Sequence, residues 1–120
     1  MLKLTEIIPA LNLIPLTTVK SPEVIVKYAY VSDLLSNVMA SCPGNCLWIT
    51  VQCHMNVIGV ASLLDVQAVV FSGDVKPSAL VLRKAEEVGV TVLQSHDNAF
   101  DLCGRLYDLG LKGILRKQFN

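Results

Sequence analysis

Two histidines, His54 and His96, are the first residues of this chain that could carry chemistry, because an imidazole can act as an acid, a base or a ligand near neutral pH. No nucleophile or carboxylate pair accompanies either of them along the sequence. We interpret both as partly exposed loop histidines. A small enzyme that uses His54 or His96 is the least favoured of three hypotheses, and we predict that the chain is not an enzyme.

Four cysteines offer a second kind of chemistry: Cys42, Cys46, Cys53 and Cys103. The spacing Cys42-x-x-x-Cys46 is compatible with half of a zinc site, with Cys53 and His54 as a conceivable second half. The usual second C-x-x-C or H-x-x-x-H is missing, and Cys46 begins an apolar run that favours a buried strand. We therefore predict no metal and no other cofactor, and we expect reduced thiols that are mostly buried.

Composition excludes several classes of partner. Ten basic residues balance ten acidic ones, so no net charge steers the chain toward nucleic acid or an anionic membrane. No apolar run reaches the ~18 residues of a membrane span, and the first residues lack the pattern of a signal peptide. These features predict a cytoplasmic protein. Lys112, Arg116 and Lys117 are predicted to belong to a solvated end. Phosphate-binding, dinucleotide-binding and hydrolase motifs are absent.

The chain alternates apolar strand-like runs with amphipathic helix-like segments, which indicates an α/β fold. It is 52% hydrophobic and 17% charged, enough apolar material for one core. We predict strands over 24–30, 46–51, 68–71 and 90–93, and helices over 6–11, 56–64, 79–88 and 98–109, with a further helix capped by Ser32 or Asp33. Residues 13–16 form a short apolar run.

These elements predict a three-layer α/β domain with a mainly parallel sheet of about four or five strands flanked by helices. One domain is expected to span residues 1–120, with its core at about 3–112 and a short polar C-terminal tail.

Polar side chains follow each predicted strand at its carboxyl end, where open parallel sheets bind ligands. Gln94, Ser95 and His96 follow the last strand. The residues that we predict to bind a small ligand are those after the earlier strands: Ser32, Asp33, Gln52, His54, Ser72 and Gly73. An alternative interpretation is that the same residue types are present only because they cap helices and form turns.

Five stretches of the chain resemble a DRTGG domain in their order and spacing: 30–40, 47–52, 54–61, 69–73 with Pro77, and 100–107. The resemblance implies a regulatory or dimerising α/β module without catalysis, with a fold like that of the N-terminal domain of HPr kinase/phosphorylase. Such domains occur alone or beside CBS domains in regulated pyrophosphatases. The chain departs from the family pattern, because Gln52-Cys53 replaces Asp-Arg and Ser72-Gly73-Asp74 replaces Thr-Gly-Gly.

Two hypotheses are favoured over the hypothesis that the chain is an enzyme. In the first, the chain senses a small anionic or nucleotide-like ligand, or regulates a partner metabolic or redox enzyme. In the second, it is a purely structural module that dimerises or docks on a partner through apolar faces; the segment with Phe100, Cys103, Leu106 and Tyr107 is predicted to be core or dimer face. A homodimer is expected in both.

Overall fold

The computed structural model describes residues 1–114, and its centre is a five-stranded sheet. Its strands are β2 (Ile14–Pro15), β4 (Tyr28–Val31), β5 (Cys46–Thr50), β6 (Ala68–Phe71) and β7 (Val92–Gln94). The order across the sheet is β2-β7-β6-β5-β4. All neighbours are parallel except β2, which runs antiparallel to β7 at the edge. The prediction of a mainly parallel sheet is confirmed.

Helices cover both faces of this sheet, which gives the three predicted layers. They are α1 (Leu4–Ala10), α2 (Leu35–Ser41), α3 (Met55–Leu64), α4 (Ala79–Val88) and α5 (Ala99–Leu109). A small second sheet pairs β1 (Leu2–Lys3) with β3 (Ile25–Val26). Among residues 1–114, no helix combines the length and the apolar character needed to cross a membrane.

The uniformly apolar sequence of β5 and β6 explains their central position, because every residue of both strands is buried. Side chains alternate between the two faces. Leu47 and Ile49 pack with the helices α1 and α5, whereas Trp48 packs with α2, α3 and α4. The sheet is thus buried on both sides. Buried polar residues lie at or just after the carboxyl ends of its strands: Thr50, Ser72, Gln94 and Ser95.

Several predicted elements differ from the structure, among them the strand predicted over 90–93, which spans Val92–Gln94. The strand predicted over 24–30 is broken at the exposed Lys27, whose N–H donates to the Asn45 carbonyl as the chain passes from the small sheet into the large one. The first helix begins at Leu4, where the Glu6 carboxylate accepts a hydrogen bond from the Lys3 N–H. The run 13–16 contains the antiparallel strand β2. Most of the predicted polar tail, with Arg116 and Lys117, lies outside the described residues.

The predicted cap of α2 is also wrong. Leu34 occupies the N-cap position, and no side chain caps this helix. Asp33 is unavailable because its carboxylate is bonded to β5 and the loop after it. The Ser32 hydroxyl accepts from the Leu34 N–H, so it closes a turn before the helix begins.

Candidate functional site

The loops that follow β4, β5, β6 and β7 all lie at the carboxyl ends of parallel strands; we call residues 32–34, 51–54, 72–78 and 95–98 together the strand-end edge. Asp33 joins the first two loops. Its Oδ1 accepts from the Thr50 hydroxyl at 2.7 Å and from the Val51 N–H at 3.0 Å. Thr50 Oγ1 in turn accepts from the Gln52 N–H at 3.1 Å. A chain of hydrogen bonds therefore runs from Gln52 through a buried hydroxyl to an aspartate.

Ser32 anchors the same region to the sheet. Its N–H donates to the Ile49 carbonyl at 3.3 Å, and its own carbonyl accepts from Trp48 Nε1 at 3.0 Å. Trp48 is completely buried, so this indole fixes the start of the β4–α2 loop against the core. The polar groups of Ser32 are used to hold the loop in place.

The loop after β6 is tied to the loop after β7. The Gly73 N–H donates to the Asp97 carbonyl at 2.7 Å, and the Asp74 N–H donates to the Ser95 carbonyl at 3.2 Å. Gly73 and Asp74 both have positive φ angles, +72° and +62°. Glycine adopts this conformation without steric strain, and a Cβ on Gly73 would meet no atom within 4 Å. The edge is therefore open above Gly73.

Ser72 links the two halves of the edge. Its N–H donates to the Thr50 carbonyl at 3.2 Å. Its hydroxyl is completely buried and, among residues 1–114, has no hydrogen-bond partner. An unsatisfied buried hydroxyl is unfavourable, because the group has lost water without gaining a protein partner.

The two histidines are arranged differently. His54 is exposed at the N-cap of α3, where its side chain makes no capping bond, and no hydrogen bond within 1–114 joins it to the other predicted residues. His96 Nδ1 contacts Asp74 Oδ1, both on the exposed surface of the edge. A carboxylate thus accompanies His96 in space although none was identified from the sequence. No nucleophilic side chain in the described part hydrogen-bonds either imidazole.

The six predicted residues can now be placed. Hydrogen bonds connect Ser32, Asp33, Gln52 and Ser72 to β5 and Gly73 to the loop after β7. Within residues 1–114, no hydrogen bond joins His54 to any of these five. Three contributors were not predicted: Thr50, Trp48 and Asp97. Of these three, only Thr50 has a sequence feature that could have predicted its role, namely a hydroxyl residue at the end of an apolar strand. Asp97 is paired with Arg105 at 2.5 Å, which neutralises one of the edge carboxylates.

Comparison with known proteins matches the fold of this chain to a solved structure. No protein-family model matches the chain, and no curated protein matches it. A crystal structure of the CBS and DRTGG domains of the regulatory region of Clostridium perfringens pyrophosphatase, complexed with the activator diadenosine tetraphosphate, matches with a TM-score of 0.63.

The fold is DRTGG-like. Sequence identity to that structure is 13%, over 80% of this chain. The chain spans 42% of the length of the pyrophosphatase chain, so the match concerns one part of a larger regulatory region. The DRTGG-like fold agrees with the resemblance noted in the sequence.

Proposed function

We propose that this DRTGG-like chain is a non-catalytic regulatory module that binds a small anionic or nucleotide-like ligand at the strand-end edge. Ser72, Gly73, Gln52 and His54 would contact the ligand. Ser32 and Asp33 would hold the loops in the binding conformation, since their own polar groups are already bonded to the sheet.

The single observation that carries the proposal is the buried, unpartnered hydroxyl of Ser72. Ser72 donates its N–H to the Thr50 carbonyl and directly precedes Gly73, above which the edge is open. In the proposed complex the Ser72 side chain turns toward the open side of Gly73, where a ligand oxygen that accepts from its hydroxyl removes the penalty of burial. Buried polar groups without partners are uncommon in folded proteins and call for an explanation of this kind.

Two further features favour an anion. The first turn of α3 has no side-chain cap, and the N-terminus of a ten-residue helix attracts negative charge through its free backbone N–H groups. The edge carboxylates are engaged: Asp33 by two donors, Asp97 by Arg105 and Asp74 by His96. The pyrophosphatase domains were solved with diadenosine tetraphosphate, which makes nucleotides the first compounds to test.

A thermal-shift screen tests the proposal, with inorganic phosphate, adenosine mono-, di- and triphosphate, diadenosine tetraphosphate and a set of phosphorylated metabolites. A ligand at 100 times its Kd stabilises the folded state by about 2.7 kcal/mol, which raises Tm by roughly 10 °C in a chain of this size. We expect at least one compound to do so.

Ser72→Ala is the most discriminating variant for this screen. Removal of an unpartnered buried hydroxyl leaves stability within about 0.5 kcal/mol of wild type or raises it. The same variant is expected to lose most of the ligand-induced shift. Ser36→Ala, on the exposed surface of α2, is the matched control and keeps the full shift. No shift from any compound, or equal shifts in both variants, would count against binding at Ser72.

An apolar groove between α2, α3 and α4 supports a second candidate function, that of a structural homodimerisation module. Its volume is about 560 Å³, and Lys84 is the one charged residue among the described residues that line it. Leu63 and Met39 expose 69% and 50% of their surface there. A largely apolar face is suited to a copy of itself, because a symmetric dimer covers the same apolar patch on both copies.

Light scattering coupled to size exclusion distinguishes this candidate. A dimer through the groove predicts a mass of about twice 13.1 kDa, and Leu63→Glu would then return the protein to the monomer mass. Leu80→Glu is the control, since Leu80 is exposed on α4 and does not line the groove. A wild-type protein that is monomeric at all concentrations would eliminate the dimer.

A further inference from the structure

Two thiols at the far end of α2 lie unusually close together. Cys42 follows the last residue of α2 and Cys46 begins β5, with the turn 43–45 between them. Their Sγ atoms are 2.6 Å apart, and both cysteines are free thiols. This separation is only roughly 0.6 Å longer than a disulfide bond of about 2.05 Å. Within residues 1–114, no group of three or more metal-ligating side chains occurs that would explain the pair as a metal site.

From this geometry we infer that Cys42 and Cys46 are a reversible redox site, which reacts with low-molecular-weight disulfides to form an intramolecular disulfide. The inference is independent of the ligand proposed above. It extends the expectation of reduced thiols, because the fold holds these two thiols where an oxidant can join them.

The surrounding structure holds the turn in place. The Asn45 carbonyl accepts from the Lys27 N–H at 3.0 Å, and the Cys46 carbonyl accepts from the Gln67 N–H at 2.9 Å. A Cβ on Gly44 would lie 2.9 Å from the Leu64 carbonyl oxygen, so the turn packs directly on the end of α3. These tertiary contacts bring the thiols together more often than the flexible unfolded chain would.

The two thiols are not equivalent. Cys46 is completely buried, whereas Cys42 retains 7% of its surface. The hydrogen bond from Cys46 lowers the pKa of Cys42 below its ordinary value, although burial opposes this. The same hydrogen bond, together with burial, raises the pKa of Cys46. Cys42 is therefore the attacking thiolate and Cys46 the resolving thiol.

The reaction balances as a thiol–disulfide exchange. The Cys42 thiolate attacks one sulfur of a disulfide R–S–S–R, forms a mixed disulfide and releases one thiolate RS⁻. Cys46 gives its proton to a thiolate and attacks Cys42 Sγ, which forms the Cys42–Cys46 bond and expels the second RS⁻. Two protein thiols and one small disulfide become one protein disulfide and two small thiols; the protein is oxidised and the small disulfide is reduced.

The new bond would join α2 to β5 at one end, while Asp33 and Thr50 already connect the β4–α2 loop to β5 at the other. A covalent link across a short turn restricts the unfolded chain. We expect the oxidised form to melt about 5–10 °C higher than the reduced form.

The experiment equilibrates the full chain in buffers of reduced and oxidised glutathione, quenches with acid, alkylates free thiols with a maleimide and maps them by mass spectrometry. We expect the free thiols of Cys42 and Cys46 to disappear together as the buffer becomes more oxidising and to return on addition of dithiothreitol. The equilibrium constant for disulfide formation should be at least tenfold greater in native buffer than in concentrated urea. The Cys53→Ser/Cys103→Ser double variant is the matched control and should behave in the same way.

Several results would overturn the inference. They are independent oxidation of the two thiols, equal equilibrium constants with and without urea, or a disulfide that involves Cys53 or Cys103. The order of attack has its own test. Cys46→Ser should accumulate a mixed disulfide with glutathione at Cys42, whereas Cys42→Ser should leave Cys46 unmodified; the reverse pattern would contradict the assigned roles.

The pH dependence of alkylation gives an independent readout on wild type. Burial raises the pKa of Cys103, whereas that of Cys42 is lowered. Because only thiolates react, the alkylation rate of Cys42 should reach half its plateau at a lower pH than that of Cys103. Coincident profiles would contradict the role of Cys42 as the attacking thiolate.

Discussion

Replacement of Trp48 by alanine is expected to lower the free energy of unfolding by about 3–5 kcal/mol, the largest effect of any single change considered for this chain. Trp48 is the largest completely buried side chain and packs between the sheet and the helices α2, α3 and α4. A typical domain is stable by about 5–15 kcal/mol, so the variant would be close to unfolding.

Trp48→Phe separates the two roles of the indole. A phenyl ring fills most of the space but cannot donate to the Ser32 carbonyl, so about 1–2 kcal/mol should be lost. Unfolding in urea should be monitored by far-ultraviolet circular dichroism. Tryptophan fluorescence cannot be used, because Trp48 is the chain's one tryptophan and both variants lack it. If Trp48→Ala cost less than about 1 kcal/mol, the indole would not be the core anchor described here.

The second large effect is expected at Asp33. Asp33→Ala removes the acceptor of the buried Thr50 hydroxyl and of the Val51 N–H, and should destabilise the protein by about 2 kcal/mol. Thr50→Val should cost about 1–2 kcal/mol for the same reason. Because both changes remove the same hydrogen bond between Thr50 and Asp33, the double variant should be less destabilised than the sum of the two, by about 1 kcal/mol.

Urea denaturation of the four proteins in this cycle measures the coupling. Asp108→Ala is the matched control, because Asp108 is exposed on α5 and its substitution should change stability by less than about 0.5 kcal/mol. Strictly additive effects of Asp33→Ala and Thr50→Val would show that the bond between the β4–α2 loop and β5 does not stabilise the strand-end edge.

The layers of the fold could be predicted because the strongest local signals coincide with the central elements. The runs in β5 and β6 are apolar on both faces, and Ser78 and Gly89 bound α4 as its N-cap and its left-handed C-cap. The second sheet could not be predicted, since β1 and β3 are two residues each and exist through pairing with each other. The break at Lys27 has the same origin, because a partner strand determines where β4 begins.

The position of the strand-end edge was predictable in outline, whereas its side-chain contacts were not. Parallel strands end on one edge, which places Ser32, Asp33, Gln52, Ser72 and Gly73 near one another without any knowledge of contacts. Side-chain geometry determines which of their polar groups form hydrogen bonds within the protein and which stay available to a ligand. Asp33 was predicted as a possible helix cap, yet it bonds to Thr50. Ser72 was predicted to bind a ligand or form a turn, and its hydroxyl is buried without a partner among residues 1–114. The contact between Cys42 and Cys46 likewise depends on how the turn between them packs.

The central claim is that a ligand occupies the strand-end edge. The most direct test is a nuclear magnetic resonance titration of ¹⁵N-labelled protein with the compounds that raise its Tm. We predict that the largest amide shifts occur in 51–54 and 72–74 and are absent from Ser72→Ala. Shifts confined to the groove between α2, α3 and α4, or no saturable shift with any compound, would contradict the account.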